Sequence, residues 1–153
     1  MVILDVDGVM TDGRIIYDAD GMEYKCFNVH DGYGIARAIE LGLKLAMLSG
    51  RSSKILHHRA KRLGITELHE GADDKVIVFE KIRNRHKLKN EEVCFIGDDE
   101  FDLPLLKIVG FSAAPHDAIK RVRNEVDYVA EKNGGKGAVR EVLDLILSAK
   151  NLI

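Results

Sequence analysis

The sequence predicts an α/β fold in which helices cover both faces of a doubly wound, mostly parallel sheet. Short continuous apolar runs, typical of strands buried on both faces, occur four times. They are VILDV at 2–6, KLAML at 44–48, VCFI at 93–96 and VGFS at 109–112. Between them, apolar residues recur at helical spacing over 35–41, 55–63 and 76–82. Alternating strands and helices imply right-handed crossovers and therefore a parallel sheet.

One segment departs from this alternation. In RIIYDADGMEYKCFNV, two strand-like runs flank a turn sequence, DADG at 18–21, which predicts a β-hairpin. We expect one domain over 1–153 with this hairpin as an insertion at about 13–29. An insertion of this size is too small for a separate lid domain, so we expect the carboxyl edge of the sheet to be open unless another subunit covers it.

The last part of the sequence, a tail at about 133–153, joins a glycine-rich loop to an amphipathic helix. Five apolar residues at helical spacing form a stripe that we expect to face the core. They are Val139, Val142, Leu143, Ile146 and Leu147. The loop GGKG at 134–137 is consistent with a simple flexible connector.

Composition excludes several classes of protein. Lys and Arg number 23 against 25 Asp and Glu, a net charge of -2, which provides no overall attraction for nucleic acid or a membrane surface. No run approaches the ~18 apolar residues of a membrane span. The two cysteines, Cys26 and Cys94, lack metal-ligand spacing and fit a reducing compartment, so we expect a cytoplasmic protein.

Polar residues follow the predicted strands at points that a parallel sheet brings to one edge. They are Asp5 and Asp7; Ser49, Gly50 and Arg51; Lys75, which opens a helix; and Asp98 and Asp99. The carboxylates suit Mg²⁺, which also requires a phosphate and waters to complete its ligand shell. The hydroxyl and ammonium groups suit a phosphoryl group.

Each of these signals has a simpler interpretation. An acid at a strand end is often only a helix cap, and for Asp99 or Asp73 alone we prefer that interpretation. Asp5 and Asp7 are harder to dismiss, because side chains two apart share a strand face and repel unless a cation lies between them. The specific signal is the order Asp-x-Asp, Ser, Lys, Gly-Asp-Asp.

This order resembles the haloacid dehalogenase superfamily of phosphatases over essentially the whole chain. The four family motifs are similar to DVDGVMTD at 5–12, Ser49, Lys75, and GDD at 97–99 with Asp102. Within the superfamily, FNVHDGYGI, LSGRSS, LGI, GGKGAVREVLDLIL and the hairpin in place of a cap resemble the phosphatases of 3-deoxy-D-manno-octulosonate 8-phosphate. Those enzymes act in lipopolysaccharide sugar synthesis. The fold implied is a Rossmann-like sheet of the haloacid dehalogenase type.

The resemblance implies a magnesium-dependent phosphatase with an aspartyl-phosphate intermediate. Asp5 would be the nucleophile, and Asp7 would act first as acid and then as base. Asp5, Asp98 and the main-chain carbonyl of Asp7 would hold Mg²⁺, while Ser49 and Lys75 would bind the phosphoryl oxygens. Outside these groups come two further acids, Asp99 and Asp102. Asp99 would orient Lys75 or a metal-bound water.

The resemblance also implies substrate contacts beyond Asp7 and Lys75. They are the loop Asn28, Val29, His30, Asp31 and Gly32, together with Gly50, Arg51, Arg59 and Arg62. Related nine-carbon acid phosphatases have glutamate and lysine at the first and last of these arginines, so the sequence favours the eight-carbon acid. The segment that carries Arg59 and Arg62, KILHHRAKRLG at 54–64, is also typical of a solvated basic helix face. His30 stands where many relatives have arginine.

The resemblance further implies a homotetramer in which neighbouring subunits supply the missing lid and the glycine-rich loop reaches a neighbouring site.

Three alternative functions remain. One is a phosphatase for a nine-carbon or other sugar acid phosphate. Another is a receiver-type domain, but receivers place their phosphoacceptor after the acid pair, and here Asp-x-Asp comes first. The third is a non-catalytic phosphatase-like domain, which the intact motif acids disfavour.

Overall fold

Strands and helices alternate in the computed structural model, which describes residues 1–153. The strands are β1 Val2–Leu4, β2 Ile16–Tyr17, β3 Glu23–Tyr24, β4 Leu45–Leu48, β5 Glu67–His69, β6 Cys94–Ile96, β7 Phe111–Ala114 and β8 Tyr128–Val129. The helices are α1 Val29–Glu40, α2 Lys54–Leu63, α3 Lys75–His86, α4 Leu103–Leu106, α5 Lys120–Arg123 and α6 Ala138–Ala149. None of these helices combines the length and apolarity that crossing a membrane requires.

Six strands form the main sheet in the order β5-β4-β1-β6-β7-β8, and every neighbouring pair is parallel. The predicted doubly wound parallel sheet is therefore confirmed. Strand β1 lies inside the sheet, with Ile3 opposite Ala46 of β4 and Phe95 of β6. The carboxyl ends of these three strands are consequently neighbours, and the predicted motif residues follow them.

The two faces of the sheet carry separate cores. Val2 and Leu4 belong to a cluster of 22 buried residues shared with α1, α2 and α6, whereas Ile3 belongs to a cluster of 14 shared with α3 and α4. This alternation is the period of two of a β-strand. The predicted stripe of α6 does face the core: four of its five residues are buried, and Ile146 packs against them partly buried.

Strand β7 was placed two residues too early by the sequence. Gly110 ends a turn rather than belonging to the strand: its N–H donates to the carbonyl of Val93 at 3.1 Å, and a Cβ there would lie 2.4 Å from the Cα atom of Glu91. Strands β5 and β8 and the four-residue helices α4 and α5 were not predicted at all. The strands lie at the sheet edges and are only three and two residues long.

The predicted hairpin forms as a separate two-stranded antiparallel sheet, β2 with β3. Its turn is held by the Asp18 carboxylate, whose Oδ1 accepts from the N–H groups of Asp20 at 3.0 Å and Met22 at 2.8 Å. The hairpin lies beside the carboxyl edge of the main sheet, where it reaches the site described next.

Candidate active site

The predicted motif residues surround one cavity of about 380 Å³ at the carboxyl edge of the sheet. Asp5 directly follows β1 and Ser49 directly follows β4, whereas Asp98 comes two residues after β6. The lining residues are Asp5, Asp7, Gly8, Gly13, Ser49, Gly50, Arg51, Asp98, Asp99 and Phe101. Nine of the ten are polar, charged or glycine, so the cavity suits a charged ligand.

Lys75 lies between two buried carboxylates below this cavity. Its Nζ is 2.6 Å from Oδ1 of Asp5 and 2.6 Å from Oδ1 of Asp102, and all three side chains are at most 3% exposed. Burial raises the pKa of Asp5 to about 7, although the Lys75 ammonium opposes the rise. Burial alone would lower the pKa of Lys75, but the charges of Asp5 and Asp102 outweigh it and raise that pKa.

Asp102 also shapes the Gly-Asp-Asp turn. Its Oδ2 accepts from the N–H groups of Asp98 at 3.0 Å and Asp99 at 3.3 Å, and a Cβ on Gly97 would lie 2.7 Å from that oxygen. Asp99, by contrast, caps the following turn by accepting from the N–H of Glu100 at 2.6 Å. Lys75 is therefore oriented by Asp102 and not by Asp99, while the other expected role of Asp99, orienting a metal-bound water, stays a prediction.

The acids at this edge fit a divalent cation. Oxygens of Asp5, Asp98 and Asp102 lie within 4.8 Å of one another, and both Oδ2 of Asp5 and Oδ1 of Asp98 are buried without a hydrogen-bond partner. Burial, and then the charge of Asp5, raise the pKa of Asp98 to about 8. Both oxygens of Asp102 are engaged elsewhere. The free oxygens of Asp5 and Asp98 are hard ligands of the kind that Mg²⁺ prefers.

Ser49 is positioned for an anion. Its side chain is buried, and its Oγ accepts from the N–H of Arg51 at 3.1 Å, so its own hydrogen remains available for donation. The N–H of Gly50 donates to no group of the chain. A hydroxyl, a backbone N–H and the Lys75 ammonium together suit phosphoryl oxygens.

The hairpin adds a residue that the sequence analysis missed. Lys25 Nζ lies 2.5 Å from Oδ1 of Asp7 and 3.4 Å from Oε1 of Glu23. The same Glu23 oxygen accepts from Nη2 of Arg51 at 3.0 Å, and Tyr17 accepts from that nitrogen at 3.2 Å. No local sequence pattern marks Lys25, because its role depends on how the hairpin folds over the site.

The loop at 28–32 lies outside the cavity lining. Asn28 caps α1, its Oδ1 accepting from the N–H groups of His30 and Asp31. Asp31 is buried and points to α6, where its carboxylate accepts from the N–H groups of Gly137 at 3.3 Å and Arg140 at 2.8 Å. The Asp31 carboxylate therefore makes a structural contact, and the expected substrate contact of the loop 28–32 stays a prediction.

The remaining members of the loop differ in exposure. Val29 and His30 are exposed, whereas Gly32 is buried and a Cβ there would lie 2.8 Å from Nη2 of Arg59. The guanidinium of Arg59 stacks 4.8 Å above the ring of Phe27. Arg62 is exposed and forms no ion pair. Of the three arginines predicted near the substrate, the chain by itself brings only Arg51 to the cavity.

The glycine-rich loop packs against the first motif of its own chain. The N–H of Gly135 donates to the carbonyl of Val9 at 3.0 Å, and the N–H of Gly134 donates to Oδ1 of Asp117 at 2.8 Å. A Cβ on Gly134 would lie 1.8 Å from the carbonyl oxygen of Gly8. The interpretation of this loop as a flexible connector is therefore wrong.

Comparison with known proteins decides the family. A family model described as haloacid dehalogenase-like hydrolase matches residues 57–143. The 3-deoxy-D-manno-octulosonate 8-phosphate phosphatase of Escherichia coli K12 is 43% identical over 150 residues, which cover 98% of this chain and 80% of that protein. The chain belongs to the haloacid dehalogenase-like hydrolases.

Solved haloacid dehalogenase-like structures agree with this membership. The phosphatase of the same name from Yersinia pestis has a TM-score of 0.97 and 44% identity, covering 98% of this chain and 81% of that one. The Moraxella catarrhalis enzyme, solved with magnesium, phosphate and KDO, has a TM-score of 0.96 and 39% identity, covering 98% and 86%. A haloacid dehalogenase-type fold without a cap domain, expected from the motifs, is confirmed.

Proposed function

We propose that the chain is a magnesium-dependent phosphatase that hydrolyses 3-deoxy-D-manno-octulosonate 8-phosphate to the free sugar acid and phosphate, in lipopolysaccharide precursor synthesis. The observation that carries this proposal is the buried pair of Asp5 and Lys75 beside the unpartnered Oδ1 of Asp98. A relative that covers 98% of the chain carries this substrate in its name.

In the proposed reaction Asp5 attacks the phosphorus atom. The bond from phosphorus to the sugar oxygen breaks, and that oxygen keeps the electron pair and takes a proton from Asp7. Water then attacks the aspartyl phosphate, its proton passes to Asp7, and the Asp5 carboxylate is regenerated as phosphate leaves. Burial of Asp5 and Lys75 removes competing water from the nucleophile.

The other groups at the cavity bind and orient the phosphate. Asp5, Asp98 and the carbonyl of Asp7, which accepts no hydrogen bond in the chain, would hold Mg²⁺. When bound, the ion neutralises part of the phosphate charge. Ser49 and Lys75 would donate to the transferring oxygens. Asp102 orients Lys75, and Asp99 caps the turn next to it.

Substrate selection would involve groups on more than one chain. Gly50 and Arg51 line the cavity. The loop 28–32 with Arg59 and Arg62 would contact the sugar acid from a neighbouring subunit, and Arg is the side chain that binds carboxylates in a bidentate way. Because the Asp31 carboxylate is engaged with α6, its proposed role is to hold α6 against α1, with no direct part in binding the sugar acid.

We infer that residues 1–153 act as one domain that assembles into a homotetramer in the cytoplasm. The hairpin within 13–29 exposes apolar side chains at Ile15, Tyr17, Met22 and Tyr24, which a neighbouring subunit would cover. The tail at 133–153, whose helix α6 packs against α1, would lie near that interface. Both cysteines are free, as a reducing compartment favours. Light scattering should give four times the chain mass of 17.1 kDa.

The deciding experiment is phosphate release from 3-deoxy-D-manno-octulosonate 8-phosphate with magnesium or a chelator. A nine-carbon acid phosphate and a hexose 6-phosphate serve as comparison substrates. A large magnesium-dependent preference for the eight-carbon acid is the expected result. Equal, low rates on all three would remove the support that Arg51 and Arg62 give to the eight-carbon acid. Preference for the nine-carbon acid would reassign the substrate. No release from any of them would favour a non-catalytic domain.

A further inference from the structure

The hairpin places a buried cation against the proposed proton-transfer acid. The Lys25 side chain is only 3% exposed, and its Nζ lies 2.5 Å from Oδ1 of Asp7 across 18 positions of sequence. A lysine with its charge withdrawn from water is rare unless the charge is paired. Asp7, with Glu23 as a second, more distant partner, provides that pairing.

The two carboxylate oxygens of Asp7 differ in their contacts. Oδ1 is held by Lys25, whereas Oδ2 accepts no hydrogen bond from the chain. Lys25 itself is held through Glu23, whose Oε1 also accepts from Arg51. The Asp7 side chain is therefore fixed by a chain of charged groups that begins on the hairpin and ends after β4.

We propose that Lys25 is a positioning residue that fixes the Asp7 carboxylate so that its free oxygen exchanges the proton with the substrate. This proposal rests on the proposed function. In the first step Oδ2 of Asp7 gives a proton to the sugar oxygen as the bond from that oxygen to phosphorus breaks. In the second step the same oxygen takes a proton from the water that attacks the aspartyl phosphate. Lys25 does not touch the reacting atoms.

The test compares two leaving groups in the first turnover of Lys25→Met with saturating magnesium. The sugar oxygen requires a proton as it leaves, whereas p-nitrophenolate leaves without one. The first-turnover rate on 3-deoxy-D-manno-octulosonate 8-phosphate should fall roughly 10²-fold, the size of a general-acid contribution. The burst of p-nitrophenol from p-nitrophenyl phosphate should stay within about threefold of wild type. Its later turnover should slow, because water attack also needs Asp7.

Lys25→Arg, which keeps a cation of similar reach, should restore most of the sugar phosphate rate. Lys107→Met, the same substitution at an exposed lysine far from the cavity, should change neither rate. Equal losses on both phosphates, or a rise in KM with kcat unchanged, would overturn the proposal. If wild type releases no phosphate from either compound, the proposed function fails instead. Thermal melting separates each of these results from loss of folding.

Discussion

Lys75 donates to Asp5 at 2.6 Å across 70 positions of sequence, so the nucleophile and its cation meet only in the folded chain. The same ammonium group pairs with Asp102, so two carboxyl groups and one ammonium group lie together out of water. Such a cluster is costly unless each charge is paired. The site therefore depends on the complete cluster, and each member has its own expected effect when replaced.

Replacing Lys75 should affect stability as well as activity. Lys75→Met leaves the carboxylates of Asp5 and Asp102 buried without their cation, and the free energy of unfolding should fall by about 3 kcal/mol. Urea unfolding in chelator measures this fall. Lys81→Met, on the exposed side of the same helix, should change it by less than about 0.5 kcal/mol. Equal stability of the two variants would show that the cluster is not energetically coupled.

Replacing the nucleophile should separate activity from folding. Asp5→Asn keeps the size of the side chain and leaves Lys75 paired with Asp102, so the melting temperature should change by only a few degrees. Turnover should fall by roughly 10³-fold or more, because no covalent intermediate forms. Asp73→Asn, at an exposed acid near Lys75, should retain wild-type turnover. Substantial activity of Asp5→Asn would assign the nucleophile elsewhere.

Magnesium should stabilise the protein through Asp98. Binding to the folded state alone raises the free energy of unfolding with metal concentration, so the wild-type melting temperature should rise when magnesium replaces chelator. Asp98→Asn should abolish this rise, because Oδ1 of Asp98 is one of the two buried unpartnered oxygens at the active site. Asp99→Asn should retain the rise, since Asp99 only caps a turn. A rise that persists in Asp98→Asn would instead show that the metal binds elsewhere.

Asp31 distinguishes a structural contact from a substrate contact. Asp31→Ala removes the acceptor of two N–H groups at the start of α6 and should cost about 2 kcal/mol, or roughly 4–8 °C of melting temperature. KM for the sugar acid phosphate should stay unchanged. Asp144→Ala, which removes a more exposed partner of Arg140, should cost less. A raised KM with normal melting would instead make Asp31 a substrate ligand.

Glu67 should make stability fall at low pH. Burial alone would raise its pKa, but hydrogen bonds from His69, His86 and Arg85 outweigh burial and lower that pKa to about 2. A lowered carboxyl pKa stabilises the fold above the unfolded-state value near 4.3, and this contribution is lost as pH falls towards 2. Relative to Glu67→Gln, wild type should lose about 1 kcal/mol between pH 5 and pH 2.5, since solvent screens part of the interaction.

The Glu67 measurement has a control on the same surface. Glu80→Gln, at an exposed position of α3, should follow the wild-type curve between pH 5 and pH 2.5. Parallel curves for wild type and Glu67→Gln would mean that the hydrogen bonds around Glu67 contribute no net stability.

The central strands were predictable because both of their sides are buried and they are uniformly apolar, and the site acids come within a few residues of the strand ends. Edge strand β5, ending at His69, was not predictable because two of its three residues are polar. The contacts of Lys25 with Asp7 and of Asp102 with Lys75 were also missed. Such contacts depend on how the hairpin and the Gly-Asp-Asp turn fold back in three dimensions, and neither leaves a periodic signal along the chain.

The packing of the glycine-rich loop on the first motif affects how the chain folds while it is being synthesised on the ribosome. Gly135 donates to Val9, and α6 shares the core of β1, so the first motif needs residues that are synthesised well after it. At about 5–20 residues per second, a growing chain spends seconds with its acids present but its site unfinished. A prematurely terminated product would therefore expose core side chains to proteases, and partial activity is not expected from it.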